Sequence, residues 1–307
     1  MALRVGQILR GLKGQYELLH PLKGSTVFKA KVLSSPIKER WATIKTAVTE
    51  GEKTCLTREY QNHGFSEIAS SPFIRALCDT IWSNQDQDNP SCLVFKWMDQ
   101  DLESVTAPKF RGYLTLPKVV SKAVLSALST LKTLGAVHTD ISPNNIFVSN
   151  VDGSSPVAKL GDLGNMILDG SAKIRVQSLP ARAPEVWQGI PCRHASDVWS
   201  LAATLTYKLS PLGLFGPGDK LIEGHTEAYS VMDHPLGPMK LIAKGNWRTE
   251  LEYIPDPPVP QDLLDFIESL LVIDPDKRPT ALDALKHCYL QSVATSWDAR
   301  KEWEKGS

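Results

Sequence analysis

The sequence predicts an α+β fold in which a β-rich first third precedes a helical remainder. Three observations carry that expectation. Before about residue 100, short apolar and β-branched runs alternate with turn residues. Beyond it, apolar residues recur at helical spacing through stretches too long for strands. The change of pattern falls in "KWMDQDL".

The elements follow in order. "YELLHPL", "STVFKAKVL" and "RWATIKTAV" are strand candidates, punctuated by Gly24 and by "SSP". "EKTCLTREYQNHGF" is a polar helix. Two more strands, "FIRALCDTIW" and "SCLVFKWM", flank the turn-rich "SNQDQDNP". "LPKVVSKAVLSALSTLKTL" then alternates apolar residues with good helix formers. "SDVWSLAATLTYKL" reads as a more buried helix, and "PQDLLDFIESLLV" opens on Pro and Asp, both suited to a helix start. "LGLFGPGDKLIEGHTEAYSVMDHPLGPMKLIAKGN" is rich in Gly and Pro, as a surface insert is. "SVATSWDARKEWEKGS" is a charged helix end or frayed terminus.

A chain of 307 residues accommodates two domains or lobes. Its 42% hydrophobic and 22% charged content is that of a soluble globular protein. A formal net charge of +0 gives no bulk attraction to nucleic acid or to an anionic membrane. No apolar run approaches the ~20 residues a membrane helix needs. The five cysteines are scattered and never at CxxC spacing, which argues against a disulfide or zinc framework and for a cytoplasmic or nuclear protein with reduced thiols. The first sixteen residues carry Arg4, Arg10 and Lys13 and no acid. That composition faintly resembles an organellar transit peptide; the plainer reading is a lead-in to the first strand.

Polar landmarks then succeed one another along the chain. "ATIK" offers Lys45, "TREYQ" offers Glu59, and "LVFKWMDQDLESV" follows. "HTDISPNN" carries Asp140 and Asn145, and "KLGDLGNMI" carries Asp162. "ARAPEVW" supplies Glu185, "SDVWSL" supplies Asp197, and "DPDKRPTALDALKH" supplies Arg278. Each is weak alone. Their order, from about residue 16 to about 291, resembles the eukaryotic protein kinase superfamily.

The resemblance implies a two-lobed protein kinase fold, with a small β-rich N-lobe (16–95) holding one main helix, a hinge (96–101), a larger α-helical C-lobe (102–291) and a tail (292–307). It implies ATP and Mg as cofactors and a protein substrate, with the chain acting as a monomer. Lys45 takes the place of the lysine that pairs with the α- and β-phosphates, and Glu59 is the best candidate for its helix partner. Glu52 and Glu67 are alternatives. Phe95 takes the gatekeeper position, the Lys96 to Met98 backbone would hydrogen-bond adenine, and Asp101 would reach the ribose hydroxyls. Asp140 stands where the family has its catalytic base, and Asn145 and Asp162 where it has its magnesium ligands. His138 would pack internally. Glu185 and Arg278 correspond to a buried ion pair, and Asp197 to a buried acid that hydrogen-bonds the catalytic-loop backbone. Aminoglycoside- and choline-type phosphotransferases share the base, the asparagine and the metal aspartate, but do not usually combine A-P-E, D-V-W-S and D-P-x-x-R-P.

The pattern is broken at three places. The glycine-rich loop keeps only Gly24, which predicts a shorter loop in which Ser25 and Thr26 could donate to phosphate. Thr139 replaces the catalytic-loop arginine that binds an activation-segment phosphate. Ser142 replaces the lysine that contacts the γ-phosphate. A hydrogen bond to a charged group contributes about 1.5–3 kcal/mol, so losing one from the transition state slows transfer roughly ten- to a hundredfold. These losses predict a slow Ser/Thr kinase; a nucleotide-binding or inactive pseudokinase scaffold is the alternative. "HTDI", the "LVFKWMDQDL" linker and the long insert resemble the SR-protein-kinase-like and cyclin-dependent-kinase-like branch, including divergent fungal kinase-like proteins.

Overall fold

The structure is a computed structural model and describes residues 3–34, 39–82, 89–171, 176–210 and 246–291. The predicted insert at 212–246 lies, except for its last residue, outside the described residues, as do the tail 292–307 and the middle of "SNQDQDNP". The chain divides into two compact units. One comprises Met1–Asp99 with Lys159–Met166, the other Gln100–Ala158 with Ile167–Ser307.

The first unit is built on an antiparallel six-stranded sheet: β1 (Ile8–Arg10), β2 (Gln15–Lys23), β3 (Val27–Ser34), β4 (Trp41–Thr46), β5 (Leu77–Ile81) and β6 (Cys92–Lys96), in the order β1-β2-β3-β4-β6-β5. Alternation sorts the side chains between two faces. Tyr16, Leu18, Phe28, Ala30, Ala42, Ile44 and Val94 pack together in one core. Thr43 and Lys45 point to the opposite face, where their register partners Phe95 and Leu93 lie. There Leu93 and Phe95 pack with Leu56 of α1 (Glu50–Asn62).

α1 begins at a capping box. The Glu52 N–H donates to Thr49 Oγ1, and the Thr49 N–H donates back to Glu52 Oε2. Such a cap contributes about 0.5–2 kcal/mol. Leu56 and Glu59, three positions apart and so on one helix face, are its buried residues.

β5 is shorter than the run "FIRALCDTIW" predicts. Ile74 instead forms a parallel bridge to Leu160, the Arg75 N–H donates to Leu160 O at 2.7 Å, and the Leu160 N–H donates to Phe73 O at 2.9 Å. The returning segment Lys159–Met166 takes these backbone groups from the sheet.

In the second unit, the helix Thr115–Thr133 buries Leu116, Val120, Val124, Leu128 and Leu131, a repeat of three and four residues. The helix His194–Leu209 is buried along most of its length. The helix Gln261–Leu270 follows Pro260 and buries Leu263, Leu264, Phe266, Ile267 and Leu270. Two short antiparallel ladders hold the ends of the loop between them: Ala136–Val137 with Ile167–Leu168, and Gln100–Asp101 with Ile146–Ser149. The stretch 138–145 lies between these anchors. The Arg111 guanidinium donates to the backbone oxygens of Leu209, Asp256 and Pro257, satisfying a buried cation that the sequence pattern did not single out.

Candidate active site

In the first unit, three charged side chains meet. Lys45 Nζ lies 2.7 Å from Glu59 Oε2 and 2.8 Å from Asp162 Oδ1. Glu59 is only 1% exposed and Lys45 24%. Burial alone would lower the Lys45 pKa, but the Glu59 and Asp162 carboxylates outweigh it and hold the ammonium above the ordinary lysine value. Burial pushes Glu59 up, and the lysine pulls it back. The ion pair is thus a buried carboxylate tethered to a cation that stays charged.

The three candidate glutamates are now separated by environment. Glu59 reaches Lys45. Glu52 is exposed and belongs to the capping box, whose backbone N–H groups lower its pKa. Glu67 is exposed and bonds Ser66 Oγ.

Asp162 has φ +62°, in the left-handed region that Asp tolerates better than most residues. It precedes a 3-10 turn, Leu163–Asn165, that sits directly on α1. The Asn62 side chain donates to Leu163 O at 2.8 Å. A Cβ on Gly164 would lie 2.9 Å from Cys55 O, so glycine permits this close approach. The same contacts therefore position Glu59 and Asp162 together around Lys45.

Gly24, with φ +52°, opens the three-residue connection from β2 to β3. Phe95 and Lys96 end β6, and Met98 is buried just beyond them. Arg75 lies on this same face, which the sequence reading missed. Its Nη2 donates to Thr43 Oγ1 at 2.5 Å and its Nε donates to Lys96 O at 2.9 Å. Burial lowers its pKa to about 10. His63, also missed, is tilted against the Phe95 ring at 5.5 Å between centroids, and its Nε2 is buried without a hydrogen-bond partner.

In the second unit, Asp197 organises the loop "HTDISPNN". Its Oδ2 accepts from the His138 N–H at 2.7 Å and its Oδ1 from the Thr139 N–H at 3.0 Å. Burial raises Asp197 to about 7 against the pull of these two donors. The bonds hold Thr139 at φ +66°, costly for a β-branched residue at ~1–3 kcal/mol. The Asp140 N–H donates to His138 Nδ1 at 3.2 Å, which makes His138 a buried internal support. Asn145 Nδ2 donates to both Asp140 O (2.8 Å) and Asp140 Oδ2 (2.9 Å). That amide thereby fixes the Asp140 carboxylate and turns its own carbonyl oxygen away from it. Asp101 serves a local turn, its Oδ1 accepting from the Ser104 N–H and Oγ.

Glu185 and Arg278 form a two-pronged ion pair at 2.8 and 3.0 Å, both side chains almost wholly buried. Ser196 Oγ donates to the same carboxylate.

Among the described residues no group of three or more His, Cys, Asp or Glu side chains could hold a metal ion. Magnesium at a nucleotide does not require one, since it binds through one or two carboxylates, water and phosphate oxygens. The carboxylate of Asp162 beside an ammonium, and an Asn145 carbonyl oxygen oriented by its bonded nitrogen, are donors of the right chemistry. Among the described residues no helix is long and apolar enough to cross a membrane.

The chain is similar to known proteins. The protein kinase domain family matches residues 24–290. A probable myosin light chain kinase of Dictyostelium discoideum is 28% identical over 69% of this chain and 41% of its own length. The serine/threonine-protein kinase Nek9 of Xenopus laevis is 30% identical over 60% of this chain and 17% of its own. The serine/threonine-protein kinase Nek6 of Oryza sativa subsp. japonica is 25% identical over 90% of this chain and 48% of its own. The chain thus spans less than half the length of these relatives. A crystal structure of the Rad53 kinase domain with SCD2 superposes with a TM-score of 0.63 at 19% identity, covering 92% of this chain and 90% of that one. That likeness establishes the fold, and the family match extends over most of the sequence: this chain belongs to the eukaryotic protein kinase superfamily.

Proposed function

We propose that this chain is an ATP- and magnesium-dependent protein kinase domain that transfers the γ-phosphoryl group to Ser or Thr hydroxyls of a protein, at a reduced rate. The observation that carries the reading is the Lys45 ammonium held between Glu59 and Asp162. A lysine tethered in this way presents a fixed positive charge to phosphate oxygens. Asp162 in the first unit and Asn145 in the second are each, by the family resemblance, residues that would bind magnesium, which when bound neutralises phosphate charge. Asp140 accepts the hydroxyl proton, with its carboxylate pre-oriented by Asn145. The backbone of Lys96 to Met98 is the adenine-binding edge, with Phe95 beside it; Gly24, Ser25 and Thr26 form the turn facing phosphate, and Asp101 binds ribose. Relatives named as serine/threonine-protein kinases support the Ser/Thr class. "HTDI" and the length of the 212–246 insert favour the SR-protein-kinase-like branch.

One observation favours the pseudokinase reading: Arg75 already occupies the carbonyl of Lys96. A radiometric transfer assay with casein at millimolar Mg-ATP separates the two readings. Wild type should transfer phosphate, and Asp140→Ala should fall ~10²–10⁴-fold. Equal signals from both remove the kinase reading.

A further inference from the structure

The face of the first unit that carries Lys45 is not open along β6. Thr43 and Lys45 share that face by strand alternation. Arg75 enters it from the segment before β5 and is almost fully buried. Its Nη2 donates to Thr43 Oγ1, its Nε donates to Lys96 O, and its guanidinium lies 5.6 Å from the Phe95 ring centroid. The Lys96 N–H is itself spent on Ala76 O at 2.9 Å. The backbone edge assigned above to adenine is therefore already engaged by an internal donor. Adenine binds a carbonyl through its exocyclic amine; the oxygen has a second lone pair, so the competition is for the volume that the guanidinium fills beside Thr43 and Phe95. Burial disfavours the charged guanidinium there, and the Glu59 and Asp162 carboxylates offset that only in part; its two hydrogen bonds are what hold it in place.

We propose that Arg75 is an internal occupant of the adenine-binding edge, so that this chain takes magnesium nucleotides by their phosphates and is indifferent to the base. The inference rests on the assignment of Lys96 to Met98 under the proposed function. It makes a nucleotide-specificity residue out of a position in an otherwise apolar run, "FIRALC".

Calorimetric titration tests it with Mg-ATP, Mg-GTP, Mg-tripolyphosphate and adenosine. Wild type should bind the three magnesium triphosphates within about threefold of one another and should not bind adenosine. Arg75→Val should bind Mg-ATP at least about tenfold more tightly than Mg-tripolyphosphate and should gain adenosine binding. A wild-type preference for Mg-ATP over Mg-tripolyphosphate beyond about tenfold overturns the proposal. So does a folded Arg75→Val that binds adenosine no better than wild type. If the valine variant does not fold, the wild-type series decides alone. A wild type that binds no magnesium triphosphate overturns the proposal and removes the kinase reading with it, even where Arg75→Val gains adenosine binding.

Discussion

The Glu185–Arg278 pair makes a quantitative claim about what holds the second unit together. Both side chains are nearly fully buried and bonded through two parallel contacts. Breaking one side of such a pair costs about 3–5 kcal/mol, because the other charge stays buried without its partner. The two sides are not equivalent. Without Glu185, Arg278 keeps three backbone acceptors: Val272 O at 2.9 Å, Ala195 O at 2.7 Å and Ile273 O at 3.3 Å. Without Arg278, Glu185 keeps the Ser196 hydroxyl at 2.8 Å, and those three carbonyls lose their donor. Glu185→Gln preserves shape and one acceptor oxygen, so it should cost about 1.5–3 kcal/mol, the value of charge-assisted bonding. Arg278→Leu should reach the upper end, about 5 kcal/mol. The double variant should cost less than the two singles together by about 2 kcal/mol, since the second change removes a group already stranded. Urea unfolding followed by tryptophan fluorescence reads all three; Trp199, 5.2 Å from the Arg278 guanidinium, reports locally. Equal losses from the two singles, or strict additivity, would refute the reasoning.

Two further perturbations probe the first unit. Burial, aided by the nearby Lys45 charge, holds His63 at about 4 against an ordinary 6.5. The folded imidazole is neutral while the unfolded one gains a proton below 6.5, so this stability is full above that pH and is lost as pH falls through about 4. At about 1.36 kcal/mol per pH unit the loss amounts to about 3 kcal/mol. His63→Leu should flatten the acid limb of a urea-midpoint profile, and a slope like that of wild type would remove the assignment. Gly164→Ala drives a methyl group against Cys55 O on α1. It should cost ~1–3 kcal/mol, read as a melting temperature lower by about 2–4 °C for each kcal/mol. An unchanged melting temperature would mean that the turn can shift freely from the helix.

How much of this was legible differed from residue to residue. The strands and long helices follow from period and turn chemistry, and Lys45, Asp140, Asn145 and Asp162 from motif order. The choice among Glu52, Glu59 and Glu67 was half legible. "TEGE", with Thr49 followed three positions on by Glu52, is a capping-box signature and could have removed Glu52. Separating Glu59 from Glu67 required knowing which helix face meets the sheet. Arg75 announced itself as a cation within an apolar run, a pattern that demands a partner. Its partners, Lys96 O and Thr43 Oγ1, are brought near by strand pairing that no local signal encodes. The burial of His63 and its orphaned nitrogen left no trace in composition or spacing.

The departures from the kinase pattern act on different steps. Thr139 and Ser142 lack the side chains of the family pattern, while the residue types of the proposed base and metal ligands are kept at Asp140, Asn145 and Asp162. On the proposed function, the missing γ-phosphate contact at Ser142 should lower transition-state stabilisation by about 1.5–3 kcal/mol and appear in kcat. Arg75 touches no reacting group. It competes with the base, an interaction that ground state and transition state share, so its cost appears in KM. A slow enzyme and an inactive scaffold would look alike at low nucleotide concentration, since both give no signal there. They part at saturation, where the proposed function predicts transfer and the scaffold reading predicts none. The nucleotide dependence of transfer, and not its presence at one concentration, is therefore the property that distinguishes a kinase with an obstructed base edge from a chain that has lost the chemistry.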